Sequence, residues 1–256
     1  MKIGLFDSGI GGLTVLAHLL KLMPDEEYVY YADSDNVPYG TKSEQEIYEL
    51  SKKATDFLVD KGCEIVCIAC NTATSVAAAR LRCEYEFPIV GVEPAVKPAI
   101  SRIGANGRIL VIATPMTVNQ KKLHDLIDKF DEEHLVDMKS LGKLPEFAEQ
   151  GDFESEKLLA YLDEELGCDV YKKYTEVVLG CTHFIHFTEV LKKYFASNVE
   201  FLDGAEGTAR NIKRICLEQG FVSAENNDID FYRSGRKASD EDVKFYQTIL
   251  DRLAKK

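Results

Sequence analysis

Short apolar runs that break at glycine or polar residues, then resume at helical spacing, recur along this chain. Ile3 to Phe6 stops at Asp7-Ser8-Gly9-Ile10-Gly11-Gly12, after which Leu13, Leu16, Leu19 and Leu20 follow the period of one helix face. The pattern predicts strand, tight loop, helix. Tyr28 to Ala32 predicts a second strand, Glu64 to Ala69 a third that leads through Cys70 into an alanine-rich helix, and Ile89 to Val92 a fourth, closed by Glu93-Pro94-Ala95. A second series opens with Ile109 to Ala113 and Thr114, followed by a charged amphipathic stretch through Phe130. Strands that alternate with helices predict parallel sheets covered on both faces, an α/β fold.

The two series superpose. Setting Lys2-Ile3 on Arg108-Ile109 puts Ser8 over Thr114; with small shifts Cys70 falls on Cys181, and Val92-Glu93-Pro94-Ala95 on Leu202-Asp203-Gly204-Ala205. The expected architecture is therefore two pseudo-symmetric parallel-sheet α/β domains. Ile229 to Arg233 reads as one more strand, and Ser239-Asp240-Glu241-Asp242 opens a last helix with a capping-box pattern. Neither has a counterpart after Ala95, so the tail is expected to return to the first half. That gives a discontinuous first domain, 1–95 plus 206–256, and a second domain, 96–205. Ligands of open parallel sheets sit beyond the carboxyl ends of the strands, so two facing halves would enclose one active-site cleft.

Composition narrows the function by exclusion. Among 256 residues, 31 Lys and Arg stand against 43 Asp and Glu, a net charge of −12 that repels nucleic acid and anionic lipid. With 45% apolar and 29% charged residues the chain is ordinary globular material. Asp7 comes too early for the apolar core of a signal peptide, and no apolar run reaches the ~18 residues of a membrane helix. A soluble cytoplasmic protein is expected, with no nucleic-acid or membrane partner. Seven unevenly spaced cysteines fit free thiols in a reducing compartment better than a disulfide framework.

The glycine-rich loop has the setting of a dinucleotide site, with Asp33 after the next strand. The fingerprint fails at its third glycine, where Thr14 stands, and Asp7 would aim a negative charge at a pyrophosphate. The Asp7-Ser8 pair favours a site for a smaller ligand over a plain turn. Cys67 and Cys70, three apart around a strand end, point to different faces and do not chelate together, and Cys168 and Cys181 lack zinc-ribbon spacing. Cys63, Cys67, Cys83, Cys168 and Cys216 read as small packed thiols.

Cys70 and Cys181 differ from these five. Each ends an apolar strand, each is followed by hydrogen-bonding residues, Asn71-Thr72 or Thr182-His183, and they occupy equivalent places in the repeat. A helix starting after Cys70 would favour thiolate over the ordinary pKa of about 8.5, and His183 would serve Cys181 similarly. Two thiols in pseudo-mirror positions suit inversion of a carbon centre, one removing an α-proton while the other supplies a proton to the opposite face. A cysteine hydrolase would use one half of the repeat and leave the other unexplained.

With these residues in hand, the chain resembles the glutamate racemases from end to end. The likeness rests on Phe6-Asp7-Ser8-Gly9-Ile10-Gly11-Gly12-Leu13, on Asp33 through Asn36 to Pro38-Tyr39-Gly40-Thr41, on Ala69-Cys70-Asn71-Thr72-Ala73, on Gly91-Val92-Glu93-Pro94-Ala95 and on Leu179-Gly180-Cys181-Thr182-His183. The resemblance implies cofactor-independent and metal-free interconversion of L- and D-glutamate, supplying D-glutamate for peptidoglycan, by a cytoplasmic homodimer. It implies that Cys70 works on the D-enantiomer and Cys181 on the L-enantiomer, assisted by Asp7 and His183. It also implies that Ser8, Asn71, Thr72, Thr114, Thr117 and Thr182 hold the α-carboxylate and amine, that Pro38, Tyr39 and Gly40 meet the side-chain carboxylate, and that Glu149 lies on the Cys181 side. Ile185-His186 replaces the family's usual Pro-Leu, and His186 reads as a helix-surface histidine. The alternatives are a racemase of another acidic amino acid such as aspartate, an NAD-binding oxidoreductase, and a non-catalytic module that binds an acidic amino acid.

Overall fold

A computed structural model describes residues 1–104, 107–224 and 228–255, and its strands form two separate sheets. In chain order the strands are β1 (Lys2–Asp7), β2 (Glu27–Ala32), β3 (Ile65–Ile68), β4 (Ile89–Gly91), β5 (Ile109–Ala113), β6 (Val136–Ser140), β7 (Glu176–Leu179), β8 (Glu200–Asp203), β9 (Ile229–Arg233) and β10 (Arg236–Lys237). The α-helices are α1 (Leu13–Leu22), α2 (Glu44–Asp60), α3 (Asn71–Glu84), α4 (Val96–Arg102), α5 (Pro115–Asn119), α6 (Lys121–Phe130), α7 (Leu144–Glu149), α8 (Glu156–Leu166), α9 (Thr188–Leu191), α10 (Ala205–Gln219) and α11 (Asp240–Ala254). Contacts divide the chain into two units, Met1–Glu93 with Ala205–Lys256, and Pro94–Gly204.

The sheet of the first unit runs β10-β9-β2-β1-β3-β4, parallel throughout except that β10 returns antiparallel beside β9. Its central strands are buried on both faces, Ile3, Leu5 and Phe6 in β1 and all four residues of β3, as helix-covered parallel strands must be. Register sets the strand ends: Phe6 pairs with Tyr31 on one side and Ile68 on the other, so Asp7, the last residue of β1, and the residues after Ile68 stand at the same carboxyl end of the sheet. Ser43 opens α2 and Ser239 opens α11 through capping boxes closed by Glu46 and Asp242.

In the second unit the four strands are all parallel in the order β6-β5-β7-β8. This is the arrangement β2-β1-β3-β4 over again, so the repeat in the sequence is a repeat of strand connectivity. Val96 and Ala99 of α4, and Leu123 and Ile127 of α6, close over Ile109, Val111, Val178 and Leu202. Burial of each such branched side chain contributes about 1.5–3 kcal/mol.

The structure departs from the sequence pattern in several places. β6 is half-buried along its whole length and carries Asp137 and Lys139, so no apolar run announces it, and the two exposed residues of β10 announce nothing either. The charged stretch before Phe130 is two helices, because Pro115 starts α5 and Gln120 adopts extended backbone before α6. Cys83 and Cys168, expected to be packed, are exposed, whereas Cys63, Cys67 and Cys216 are buried. His186, expected at a helix surface, is buried at 1% exposure with its ring 5.5 Å from that of Phe153, in a tight 3-10 segment, Thr182–Phe187, instead of an α-helix. Among the described residues no helix is long and apolar enough to cross a membrane.

Candidate active site

Two clusters gather the expected residues, one in each unit, and each sits where adjacent parallel strands end. In the first unit, β1 delivers Asp7 and Ser8 while the neighbouring β3 delivers Cys70; the Ala69 amide donates to the Phe6 carbonyl at 2.8 Å, tying the two strand ends together. Cys70 is the N-cap of α3, and its sulfur accepts from the Ala73 amide at 3.5 Å. The amide end of a 14-residue helix therefore faces the thiol and stabilises negative charge on it. The thiol also donates to Ser8 Oγ at 3.7 Å.

The loop after β1 closes on its own carboxylate. Asp7 Oδ2 accepts from the amides of Gly12 at 3.0 Å and Gly9 at 3.2 Å, and Asp7 is wholly buried. A side chain at Gly12 would place a Cβ 2.7 Å from Asp7 Cβ and 2.9 Å from Ala69 Cβ, so glycine is required by close approach here. The amides that would cradle a pyrophosphate in a dinucleotide site are thus engaged by Asp7. Asn71, buried at the first position of α3, has an Oδ1 with no hydrogen-bond partner in the protein.

Pro38, Tyr39 and Gly40 form a tight turn after a cis Val37–Pro38 peptide. Asp33 organises it, accepting from the Tyr39 hydroxyl at 2.6 Å and from Asn36 Nδ2 at 3.0 Å. Burial and the adjacent Asp33 carboxylate push the Tyr39 phenol well above its ordinary range, so it remains a donor. Asp33, whose place after the second strand also fits a dinucleotide site, here holds the Tyr39 turn.

In the second unit β5 leads into Thr114 and the adjacent β7 into Gly180-Cys181, with the Gly180 amide donating to the Ile112 carbonyl at 2.7 Å. Thr114 and Thr117 share a hydroxyl–hydroxyl bond of 3.0 Å at the start of α5. Cys181 Sγ lies 3.8 Å from His183 Nδ1, and His183 Nε2 lies 2.9 Å from Glu149 Oε1 at the end of α7. A carboxylate on Nε2 keeps the proton there and leaves Nδ1 to receive one from sulfur, the same logic by which an oriented imidazole serves any nucleophile. Thr182, between Cys181 and His183, is buried with them.

Comparison with known proteins decides the class. Residues 13–212 match the family model described as Asp/Glu/Hydantoin racemase. The chain belongs to that racemase family. The racemase is 43% identical over 259 residues to a glutamate racemase of Lachnospira eligens, covering 99% of this chain and 98% of that protein. It is also 43% identical over 255 residues to a glutamate racemase of Halothermothrix orenii, covering 99% and 100%. Its fold matches the glutamate racemase of Escherichia coli, solved with L-glutamate and the activator UDP-MurNAc-ala, with TM-score 0.81 at 30% identity over 98% of this chain and 94% of that one. The Campylobacter jejuni glutamate racemase matches with TM-score 0.80 at 27% identity, covering 98% of both chains.

In this racemase the structure brings Asp7, Ser8, Cys70, Asn71 and Thr72 to one set of strand ends, and Thr114, Thr117, Cys181, Thr182 and His183 to the other. Glu149 joins the second set through His183 although it lies 34 positions away in the chain. Among the described residues, no group of three or more His, Cys, Asp or Glu side chains is arranged to hold a metal ion.

Proposed function

We propose that this racemase interconverts L- and D-glutamate without a cofactor, with Cys70 and Cys181 as the two acid–base groups. The observation that carries the reading is the pair of thiols at equivalent strand ends of a duplicated fold, each with its own means of handling a proton. Glutamate is favoured over aspartate by the names of relatives at 43% identity that span nearly the whole chain.

Cys70, as thiolate at the amide end of α3, takes the α-proton of D-glutamate, and Cys181 delivers a proton to the opposite face of the carbanion. From L-glutamate the roles reverse: Cys181 gives its proton to His183, oriented by Glu149, and the resulting thiolate abstracts. Asp7 and Ser8 serve the Cys70 side. The unpaired Asn71 Oδ1 offers an acceptor to the substrate ammonium, since a buried acceptor left unmade costs about 1–3 kcal/mol. Thr72, Thr114, Thr117 and Thr182 supply neutral hydrogen bonds to the α-carboxylate and amine, while Pro38, Tyr39 and Gly40 meet the side-chain carboxylate. We place the enzyme in the cytoplasm as a homodimer that supplies D-glutamate for peptidoglycan, with domains 1–95 plus 206–256 and 96–205.

Circular dichroism of L-glutamate and L-aspartate incubated with the purified protein, with no cofactor added, tests class and substrate together. Decay of the glutamate signal alone is expected; decay with aspartate alone gives the substrate to the other acidic amino acid. In D₂O the product formed early carries deuterium at Cα while recovered substrate still carries protium. Substantial transfer of substrate protium into product would mean a single base, and would end the two-thiol mechanism.

A further inference from the structure

The Asp7–Gly12 loop carries two residues of the Cys70 cluster, and something beneath it must fix its height. Tyr30, in the middle of β2, is completely buried, and its hydroxyl donates to the Gly9 carbonyl at 2.7 Å. The same hydroxyl lies 3.0 Å from where a Cβ on Gly12 would stand, so it abuts the loop at both glycines whose amides bond Asp7. Its ring is fixed in turn by the chain's tail. Phe231, its register partner in β9, and Tyr246 of α11 each meet it edge-on with centroids 6.2 Å apart.

We propose that Tyr30, held by Phe231 and Tyr246, is a positioning residue that sets the Asp7–Gly12 loop against Cys70. Its effect reaches the chemistry through Asp7 and Ser8 and therefore acts on one hand of the substrate. The inference rests on the two-thiol reading. L- and D-glutamate are equally stable, so kcat/KM is equal in the two directions for every variant, and a lopsided defect has to be sought in the isotope effect on each α-proton abstraction.

The test compares Tyr30→Phe with Tyr28→Phe. Tyr28 is a buried tyrosine two residues away on the same strand, whose hydroxyl donates to the Met23 carbonyl at 2.6 Å and the Leu19 carbonyl at 3.4 Å, away from the loop. Both variants remove a buried hydroxyl and its hydrogen bonding. Tyr30→Phe is expected to lower kcat/KM roughly 10-fold, the scale of one such bond. The α-deuterium isotope effect on kcat/KM should rise with D-[2-²H]glutamate, because abstraction by Cys70 becomes more limiting, and fall toward unity with L-[2-²H]glutamate. Tyr28→Phe should lower thermal stability and leave both isotope effects as in the parent. Equal changes with the two enantiomers, or none, in a folded Tyr30→Phe protein overturn the inference.

Should Tyr30→Phe not fold, Phe231→Leu, which loosens the ring and keeps the hydroxyl, is read in the same way. An isotope effect that rises with the L-enantiomer instead reverses the hand assigned to Cys70 and leaves the positioning role standing. A parent enzyme that turns over neither enantiomer sinks the two-thiol reading itself.

Discussion

The two cysteine clusters occupy the same place in a repeated fold and surround their thiols with different partners. Cys70 caps a 14-residue helix, takes an amide hydrogen bond on its sulfur and donates to a serine hydroxyl. Cys181 opens a 3-10 segment and leans on a His183–Glu149 pair. A strand end fixes where a thiol stands, and the next two or three residues of the chain decide which groups surround it. After Cys70 the chain carries Asn71-Thr72-Ala73 and runs into an alanine-rich helix; after Cys181, histidine at the second position places an imidazole within reach of sulfur. The frame repeats, and a few residues after each strand end give the two thiols different neighbours.

The largest test of this comparison removes each thiol in turn. Cys70→Ala and Cys181→Ala should each lower racemisation by about 10⁴-fold or more, since a proton transfer by a positioned group contributes 10²–10⁴-fold and a methyl group can neither accept nor donate. Polarimetry of L-glutamate reads the loss, and far-UV circular dichroism checks that the fold is kept. If either variant retains near-parent activity, the symmetry of the frame has no chemical meaning.

A sharper test asks whether the two devices differ in strength. If the imidazole is the proton's destination from Cys181, His183→Asn is expected to cut kcat by about 10²–10⁴-fold with little change in KM. Ser8→Ala removes one hydrogen bond from Cys70 while the helix amides remain, and should cost only about 10-fold. Glu149→Gln should fall between the two, since an amide still reaches Nε2 but favours the wrong imidazole tautomer as readily as the right one. Steady-state kinetics on the three variants gives the order; equal losses for Ser8→Ala and His183→Asn would mean that the two thiols are handled alike after all.

Much of this contrast is legible in the chain. Apolar runs broken by Asp7, Cys70, Thr114 and Cys181 mark strand ends because central parallel strands are buried on both faces and leave the sheet at their first polar residue. β6 is not legible, because an edge strand that is half-buried needs no apolar pattern. The proximity of Glu149 to His183 is not legible from spacing either, since it depends on α7 packing against the segment after β7. His186 misleads for a related reason: its ring is buried against Phe153, from a distant part of the chain, and spacing does not announce that contact. Tyr30 looks like any strand tyrosine until its hydroxyl is seen under the glycine loop.

The smallest expected effect concerns cysteines outside both clusters. Burial pushes the Cys63 thiol up to about 12 and the Cys216 thiol up to about 11, and it drives Cys67 up as well. In the native state these thiols stay protonated well above their ordinary pKa of about 8.5, whereas in the unfolded chain they ionise near it. Between about pH 9 and 11 the native state therefore holds more protons than the unfolded one, and stability must fall as pH rises through that window. Urea unfolding at pH 7, 9 and 10.5 should show a steady midpoint below 9 and a falling one above it. Cys216→Ala should flatten the alkaline fall without abolishing it, because Cys63, Cys67 and the buried phenols of Tyr28 and Tyr31, also raised by burial, remain. At pH 7 the same variant should keep parent-level racemisation, since Cys216 lies on α10 and belongs to neither cluster. Loss of activity in Cys216→Ala with the fold intact would show that a third thiol takes part, and the division between two working cysteines and five packed or exposed ones would have to be redrawn.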